Sequence, residues 1–377
     1  MKTNIVLHVA ALLVAAHAPA QVTLVKVPDN ALQPKALVDA AGTTHLLSYR
    51  GNERGGNLSY ATKPAKAPAF GTPVRVNSTP DSAIAVGTIR GGQFALGKNG
   101  QAHVVWNGVA ARRRQMAPLF YARSKSDGSG FEDQRAMSGD WVMDGGGAVA
   151  ADPSGNVFVF YHGGNPGERG EDSRRVLVRI SHDSGVTFEP EKIISPDGLG
   201  VCGCCAMQAY ADAGGRWFVV YRTASNGGAD RDIATMFSSD HGKTWKHSIA
   251  SRWRIAMCPM SSMSIAEVGG RVLMAWEKEG QVFASPWDDT AESLGAIIAM
   301  PGPSSGRKHP AIASNAAGQI LVAWTEGTGW NKGGGAAWQI FDRDLKPVGN
   351  TESSPGVDVW SFVAPVPDAS GGFALMH

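Results

Sequence analysis

AVAADPSGNVFVFY, residues 148–161, and AYADAGGRWFVVY, residues 209–221, decide the fold of this chain. Each stretch begins with small apolar residues, passes through a glycine turn, and ends in an apolar run closed by tyrosine. Two short apolar segments around such a turn predict a β-hairpin. The pattern recurs along the chain, with its turn glycines at Gly42, Gly100, Gly155, Gly215, Gly270, Gly318 and Gly372. The intervals run from 48 residues (270 to 318) to 60 residues (155 to 215), which suits the four-stranded blades of a β-propeller.

Two stretches that follow hairpins carry a second pattern. Residues 181–188 read SHDSGVTF and residues 238–245 read SSDHGKTW. Both resemble the Asp-box, S-x-D-x-G-x-T-W/F, of the sialidase superfamily of propellers. The resemblance implies an all-β propeller of six blades, with Asp183 and Asp240 in structural turns on the face away from the active site. The hairpin count, with residues 22–28 (VTLVKVP) closing the last blade, predicts seven blades instead.

The beginning of the chain has the pattern of a signal peptide. Lys2 precedes an apolar run at 5–16, and Ala18, Pro19 and Ala20 supply the small residues of a cleavage site. We therefore expect cleavage near Ala20, a single mature domain at 21–377, and a periplasmic or secreted protein. The 35 Lys and Arg residues nearly balance the 33 Asp and Glu residues, which argues against a nucleic-acid partner. No later apolar run is long enough to span a membrane, and we expect a monomer.

Three of the four cysteines lie within four positions, at Cys202, Cys204 and Cys205. Aligned on the turn glycines, Cys258 takes the equivalent place one blade further on, so we expect it next to the other three. Three explanations stay open at this point. The cysteines can form disulfides, as an oxidising compartment favours. With Met260 they can bind a soft metal ion such as copper, or a disulfide among them can exchange in a redox reaction.

The same alignment gathers polar residues from separate blades at one mouth of the central channel. They are Arg90, Asn107, Asp144, His162, Arg222, Glu277, Arg307 and His309. Converging polar groups at a concave opening predict a binding or active site. Asp144 and Glu277 are the candidate catalytic carboxylates of a glycosidase. Substrate binding is predicted for Arg90, Arg222, Arg307, His162 and His309, since arginine grips a carboxylate bidentately. Trp330, in a glycine-rich loop, can stack on a sugar ring or plug the channel.

The family resemblance implies a catalytic set of three arginines, a tyrosine nucleophile paired with glutamate, and an aspartate acid/base. This chain departs from that set: neither Arg50 nor Arg90 is followed by I-P or L-P, and no tyrosine follows Tyr221. We therefore expect a protein that binds or hydrolyses glycans without the standard sialidase machinery. The alternatives are a periplasmic copper or redox protein built on the cysteines, and a non-enzymatic interaction scaffold.

Overall fold

The computed structural model describes residues 20–109, 118–139, 141, 143, 145–164, 167–168, 170–304 and 306–377. Its strands form seven sheets that follow one another in chain order. Six sheets contain four or five strands, and the seventh contains three. The prediction of an all-β propeller of four-stranded blades is thus confirmed, and the blade count is seven, as the hairpins predict. The predicted signal peptide falls almost wholly outside the described residues.

Neighbouring strands within blades 1 to 6 pair antiparallel, and the first strand of each blade lines the central channel. Blade 1 comprises Leu32–Val38, Thr44–Asn52, Gly55–Lys63 and Val74–Arg75. Blade 2 comprises Gln93–Leu96, Ala102–Asn107, Leu119–Arg123 and Arg135–Ala136. Blade 3 comprises Ala148–Ala151, Val157–Gly163, Arg175–Ser181 and Lys192–Ile193. Blade 4 comprises Gln208–Ala211, Trp217–Arg222, Ile233–Ser238 and Lys246–Ser251. Blade 5 comprises Ser264–Val268, Arg271–Lys278, Gln281–Asp288, Ser293–Leu294 and Ile298–Ala299. Blade 6 comprises Arg307–Ser314, Ile320–Glu326, Gly334–Phe341 and Pro347–Val357. Blade 7 comprises Ala364–Pro367, Phe373–Met376 and Val22–Val25. The described helices are single turns, at Pro28–Asn30, Lys98–Gly100 and Ser225–Gly228.

The ring closes between the two ends of the described chain. Strand Val22–Val25 pairs in parallel with strand Phe373–Met376. The N-terminal strand Val22–Val25 is thus the third strand of blade 7. Two further backbone bonds extend the seam, from Phe373 N–H to the Gln21 carbonyl and from His377 N–H to the Val25 carbonyl. Residues 22–28 were expected to close the last blade in this way, and the structure confirms it.

Five of the seven hairpin turns are fixed by an acidic or amide side chain as well as by a glycine. In the blade 3 hairpin, Asp152 Oδ1 accepts the N–H groups of Ser154 at 2.9 Å and Asn156 at 3.0 Å, while Gly155 takes φ +98°. Side chains that accept the N–H groups of their own turn hold it closed. Asp39 and Asp368 make the same bonds in blades 1 and 7. The sequence pattern marked the glycine of this turn but not the residue three positions before it.

The apolar core is divided among the seven interfaces between blades, each of which holds its own cluster of buried side chains. The aromatic residue near the end of each second strand in blades 1 to 6 is fully buried there: Tyr49, Trp106, Tyr161, Tyr221, Trp276 and Trp324. Burying one such ring stabilises a fold by several kcal/mol, about 3–5 on truncation to alanine. Because every blade buries both of its faces, the hydrophobic pattern alone requires a closed ring.

The two turns that resemble Asp-boxes have the same internal hydrogen bonds. Asp240 accepts the Thr244 hydroxyl at 2.5 Å and the Thr244 N–H at 3.0 Å, and Ser238 Oγ donates to Asp240 at 2.8 Å. Thr187, Asp183 and Ser181 repeat these bonds in blade 3. Hydrogen bonds from the Thr244 side chain and backbone lower the pKa of Asp240 to about 2. These carboxylates therefore accept bonds from their own turns.

The Asp-box-like turns lie on the face of the hairpin turns, since Ser184 N–H donates to the Gly155 carbonyl at 2.8 Å. The other face carries the loops that join successive blades and those that join second to third strands. We call the centre of that face, where the inner strands begin, the mouth. The channel, with a volume of about 800 Å³, is lined mostly by alanines and other small residues of the inner strands. Among the described residues, no helix has the length and apolar composition needed to cross a membrane.

Candidate functional site

The cysteines lie at the mouth, where the loops into blades 4 and 5 meet. Cys204 and Cys258 form a disulfide across these two loops, with their Cα atoms 6.4 Å apart. Cys202 and Cys205 are free thiols and are buried, and the sulfurs of Cys202 and Cys204 are 3.2 Å apart. The expectation that Cys258 lies beside the other three is confirmed. We refer to these four residues as the cysteine cluster.

The two free thiols have different acidities. Burial raises the pKa of Cys205, but a hydrogen bond from Cys202, the Arg222 guanidinium and the Ser261 N–H together outweigh burial and lower it to about 7. The hydrogen bond to Cys205, together with burial, raises the pKa of Cys202 well above its usual range. Cys205 is therefore the more acidic thiol of the pair.

Glu171, in the loop between the second and third strands of blade 3, holds the loop that carries the cluster. Its Oε1 accepts the Gly203 N–H at 2.6 Å and pairs with Arg174 at 3.0 Å, and its Oε2 pairs with Arg231 at 2.7 Å. Sequence reasoning did not single out Glu171 or Arg231. The signal available was only that both lie in polar loops on the mouth face.

Arg222 and Glu277 are neighbours beneath the cluster, and both are buried. Arg222 donates to the Arg231 carbonyl at 2.9 Å and to the Glu277 carbonyl at 2.7 Å, and its guanidinium lies 3.7 Å from the Glu277 carboxylate. The ring of Trp253 covers the guanidinium at 5.1 Å. Burial raises the pKa of Glu277, and its other oxygen accepts the Gly280 N–H at 2.9 Å. In this arrangement the pair braces the end of the second strands of blades 4 and 5.

Arg307 and His309 are also buried. Arg307 pairs with Glu326 at 3.1 Å and lies over the Trp324 ring at 4.7 Å. His309 Nδ1 faces the Ser262 hydroxyl at 3.1 Å, and burial lowers the pKa of His309 to about 3, so the ring is neutral. Arg307 pairs with Glu326 and Arg222 lies beside Glu277, so these two predicted carboxylate-binding residues lie in separate networks.

The remaining predicted residues lie elsewhere around the mouth. His162 is fully buried at the end of the second strand of blade 3, and Asn107 is equally buried in blade 2. Arg90 is half-buried and donates to the Val86 carbonyl at 3.2 Å. Asp144 lies outside the described residues, so the predicted pair of Asp144 and Glu277 stays a prediction.

Arg90 belongs to a loop, residues 76–92, that reaches from blade 1 across to the far side of the mouth. Gln33 ties this loop to blade 7 by donating to the carbonyls of Ala85 and Trp360, each at 2.8 Å. Gly87, at φ +80°, lies so close to the far side that a Cβ there would be 2.4 Å from Arg90 Nη1 and 3.2 Å from the Trp330 ring. The positive φ favours glycine at this position, and the Trp330 ring leaves little room for a Cβ.

Trp330 lies near Arg90, and Trp360 lies beside Trp330. Trp330 is 53% exposed, and its ring meets that of Trp360 edge to face with centroids 5.0 Å apart. Trp330 comes from the loop between the second and third strands of blade 6, and Trp360 from the loop into blade 7. We call Arg90, Trp330 and Trp360 the indole patch. It presents an exposed aromatic surface next to a cation, on the mouth face of the propeller.

No family model matches this chain, and no curated protein matches its sequence. Solved structures do match its fold. The leech intramolecular trans-sialidase, in complex with 2,7-anhydro-Neu5Ac, superposes with a TM-score of 0.53 at 9% identity, over 93% of this chain and 86% of that one. The NanB sialidase of Streptococcus pneumoniae gives 0.52 at 11% identity, over 82% and 67%. The α-L-arabinanase of Penicillium chrysogenum, in complex with arabinobiose, gives 0.51 at 12% identity, over 85% and 95%. At these identities the likeness is one of fold: the chain has the β-propeller fold of the sialidases and of this arabinanase.

Proposed function

We propose that this protein binds a saccharide at the mouth of its propeller, with the indole patch as the stacking surface. The observation that carries the proposal is Trp330, a large aromatic side chain that is 53% exposed although the fold buries most of its other indoles. Trp360 holds its ring from one side, and Arg90 places a guanidinium beside it. An indole offers a flat apolar face to a sugar ring, and a guanidinium suits a carboxylate. The preferred ligand is accordingly an acidic oligosaccharide.

The shared fold supports this proposal, since the three structures compared above are two sialidases and an arabinanase. We propose binding rather than hydrolysis. Glu277 is only 2% exposed and lies beside Arg222. Its carboxyl group is therefore buried between the ends of blades 4 and 5 and does not face a ligand at the mouth. The paired-carboxylate mechanism predicted for Asp144 and Glu277 needs two accessible carboxyl groups, one on either side of the bond that is cleaved.

We further propose that the protein works in an oxidising compartment, the periplasm or the exterior, after cleavage near Ala20. The disulfide between Cys204 and Cys258 supports this, because such bonds persist in oxidising compartments and are rare in the cytosol. The absence of a nucleic-acid partner and the monomeric state remain predictions from the sequence.

The test is binding of the mature protein to an array of acidic and neutral oligosaccharides, followed by calorimetry on the best ligand. Trp330→Ala should weaken binding about 5- to 13-fold, since loss of an aromatic contact costs about 1–1.5 kcal/mol. Val186→Ala is the matched control, because Val186 is 48% exposed and lies in an Asp-box-like turn on the opposite face. Equal affinities for Trp330→Ala and wild type would exclude the indole patch as the binding surface. Release of aryl groups from a panel of aryl glycosides, lost in Glu277→Gln, would show hydrolysis and contradict binding alone.

A further inference from the structure

A second site lies apart from the indole patch, in the cysteine cluster. The sulfur atoms of Cys202, Cys204 and Cys205 all lie within 4.8 Å of one another. Cys204 is bonded to Cys258, which leaves two thiols side by side in the protein interior. We propose that Cys202 and Cys205 form a two-thiolate site for a soft monovalent metal ion, Cu(I). This narrows the sequence prediction of a copper site: the disulfide removes Cys204 and Cys258 from the ligand set.

The donor atoms select the class of metal. Thiolates are soft ligands, which Cu(I) prefers, whereas Ca²⁺ and Mg²⁺ require oxygen ligands. A structural Zn²⁺ site takes four ligands from Cys, His, Asp or Glu. Among the described residues, the group of possible ligands at this place consists of cysteines alone, and two of its thiols are free. Cu(I) is satisfied by fewer sulfur ligands than zinc requires.

The surrounding charges suit the complex that would form. Two thiolates and one Cu(I) carry a net charge of minus one, and a buried charge has to be compensated. The positive charge of Arg231 lies near the Cys202 sulfur, and that of Arg222 lies near the Cys205 sulfur. Arg174 donates a hydrogen bond to Glu171, which also pairs with Arg231. These three guanidinium groups face two carboxylates, Glu171 and Glu277. Lys308 adds a further cation near Glu277, so the positive charges around the cluster outnumber these two carboxylates, which suits an anionic complex.

Two more features prepare the thiols as ligands. The Ser261 N–H donates to the Cys205 sulfur, so that sulfur is already oriented and partly stabilised as an anion. Cys204 and Cys258 are half-buried and form the outer side of the cluster. The disulfide therefore separates the two thiols from solvent and fixes the loop that carries them. On binding, Cu(I) replaces the protons of the two thiols, which pass to solvent.

The experiment is an anaerobic titration of the full mature protein with Cu(I) in competition with the chromophoric chelator bicinchoninate. The wild type should withdraw one equivalent of Cu(I) from the chelator. Cys202→Ser and Cys205→Ser should each lose this equivalent. The matched control is Cys204→Ser/Cys258→Ser, which lacks the disulfide and keeps both thiols, and should retain it. Zn²⁺ should bind at least 100-fold more weakly than Cu(I).

Two results would overturn the proposal. One is a wild type that leaves all Cu(I) on the chelator. The other is a site that survives in Cys205→Ser and disappears in Cys204→Ser/Cys258→Ser. X-ray absorption spectroscopy of the copper-loaded wild type reports the number and kind of atoms bound to copper. It tests the assignment even if a single serine variant does not fold. Two sulfur neighbours per copper are expected, and nitrogen, oxygen or four sulfur neighbours would contradict the assignment. Oligosaccharide binding is measured separately, so either proposal can fail without the other.

Discussion

The disulfide between Cys204 and Cys258 joins two neighbouring blades, and its contribution to stability can be calculated from its position. The bond spans a sequence separation of 54 residues. In the chain-entropy treatment, closing such a loop in the unfolded state removes about 14 cal/mol/K, or about 4 kcal/mol at 25 °C. The variant Cys204→Ser/Cys258→Ser should therefore unfold about 4 kcal/mol more easily than the wild type.

The assay is equilibrium unfolding in urea without reductant, followed by tryptophan fluorescence. With a slope near 3 kcal/mol/M, the double variant should show a midpoint about 1 M lower than the wild type. Dithiothreitol should lower the wild-type midpoint to that of the variant and leave the variant unchanged. Cys202→Ala/Cys205→Ala is the control for loss of sulfur without loss of the bond, and it should keep its sensitivity to dithiothreitol. A shift below about 0.3 M in the serine variant would refute the reasoning, because the loop entropy would then be absent.

Three further comparisons test the structural roles assigned above, each by the urea midpoint of the variants against that of the wild type. Arg222→Met and Glu277→Gln should each cost about 3–5 kcal/mol, because each leaves the other member of the buried pair without its counter-ion; costs below about 1 kcal/mol in both variants would contradict the buried pair. Asp240 has a depressed pKa, so its stabilisation is full above the unfolded pKa of about 4 and is lost as pH falls toward 2. Asp240→Asn should remove about 1 kcal/mol of this dependence, allowing for exposure of the turn, and an unchanged profile between pH 4 and 2 would argue against it. Gly242→Ala should cost about 2–4 kcal/mol, since φ is +78° and the new Cβ would lie 2.2 Å from a buried indole; Gly128→Ala, at φ +72° with open space, should cost about 1 kcal/mol.

The repeat pattern was sufficient to predict the fold because a propeller repeats its geometry. Once hairpins of one spacing are aligned, residues at equal distance before the turn must lie side by side around the axis. That argument placed Cys258 beside Cys204, and the two are bonded. It also gave seven blades, because the loose first and last hairpins obey the same spacing. The family resemblance, which implies six, carries less information on this point than the hairpins do.

The candidate site was harder to predict, since alignment along a strand says nothing about what covers the strand end. Arg222 and Glu277 do lie at the ends of second strands toward the mouth. The ring of Trp253 and the main chain of blade 5 then enclose the guanidinium. Likewise Gly87 gave no sequence signal, although the loop that carries it meets Trp330 on the far side of the mouth. Contacts between loops of irregular length have no periodicity from which they could be read.

The parallel seam between the first and last strands also determines how the ring responds to mechanical tension. Val22 lies beside Phe373, and Val25 beside Met376. A force that pulls residues 22 and 376 apart acts at opposite ends of this pair, so its hydrogen bonds share the load in shear. An antiparallel hairpin pulled from its open end loses its bonds one after another. Under a pull on residues 22 and 376, the lifetime of the ring is therefore set by the rate at which this one short seam ruptures as a unit.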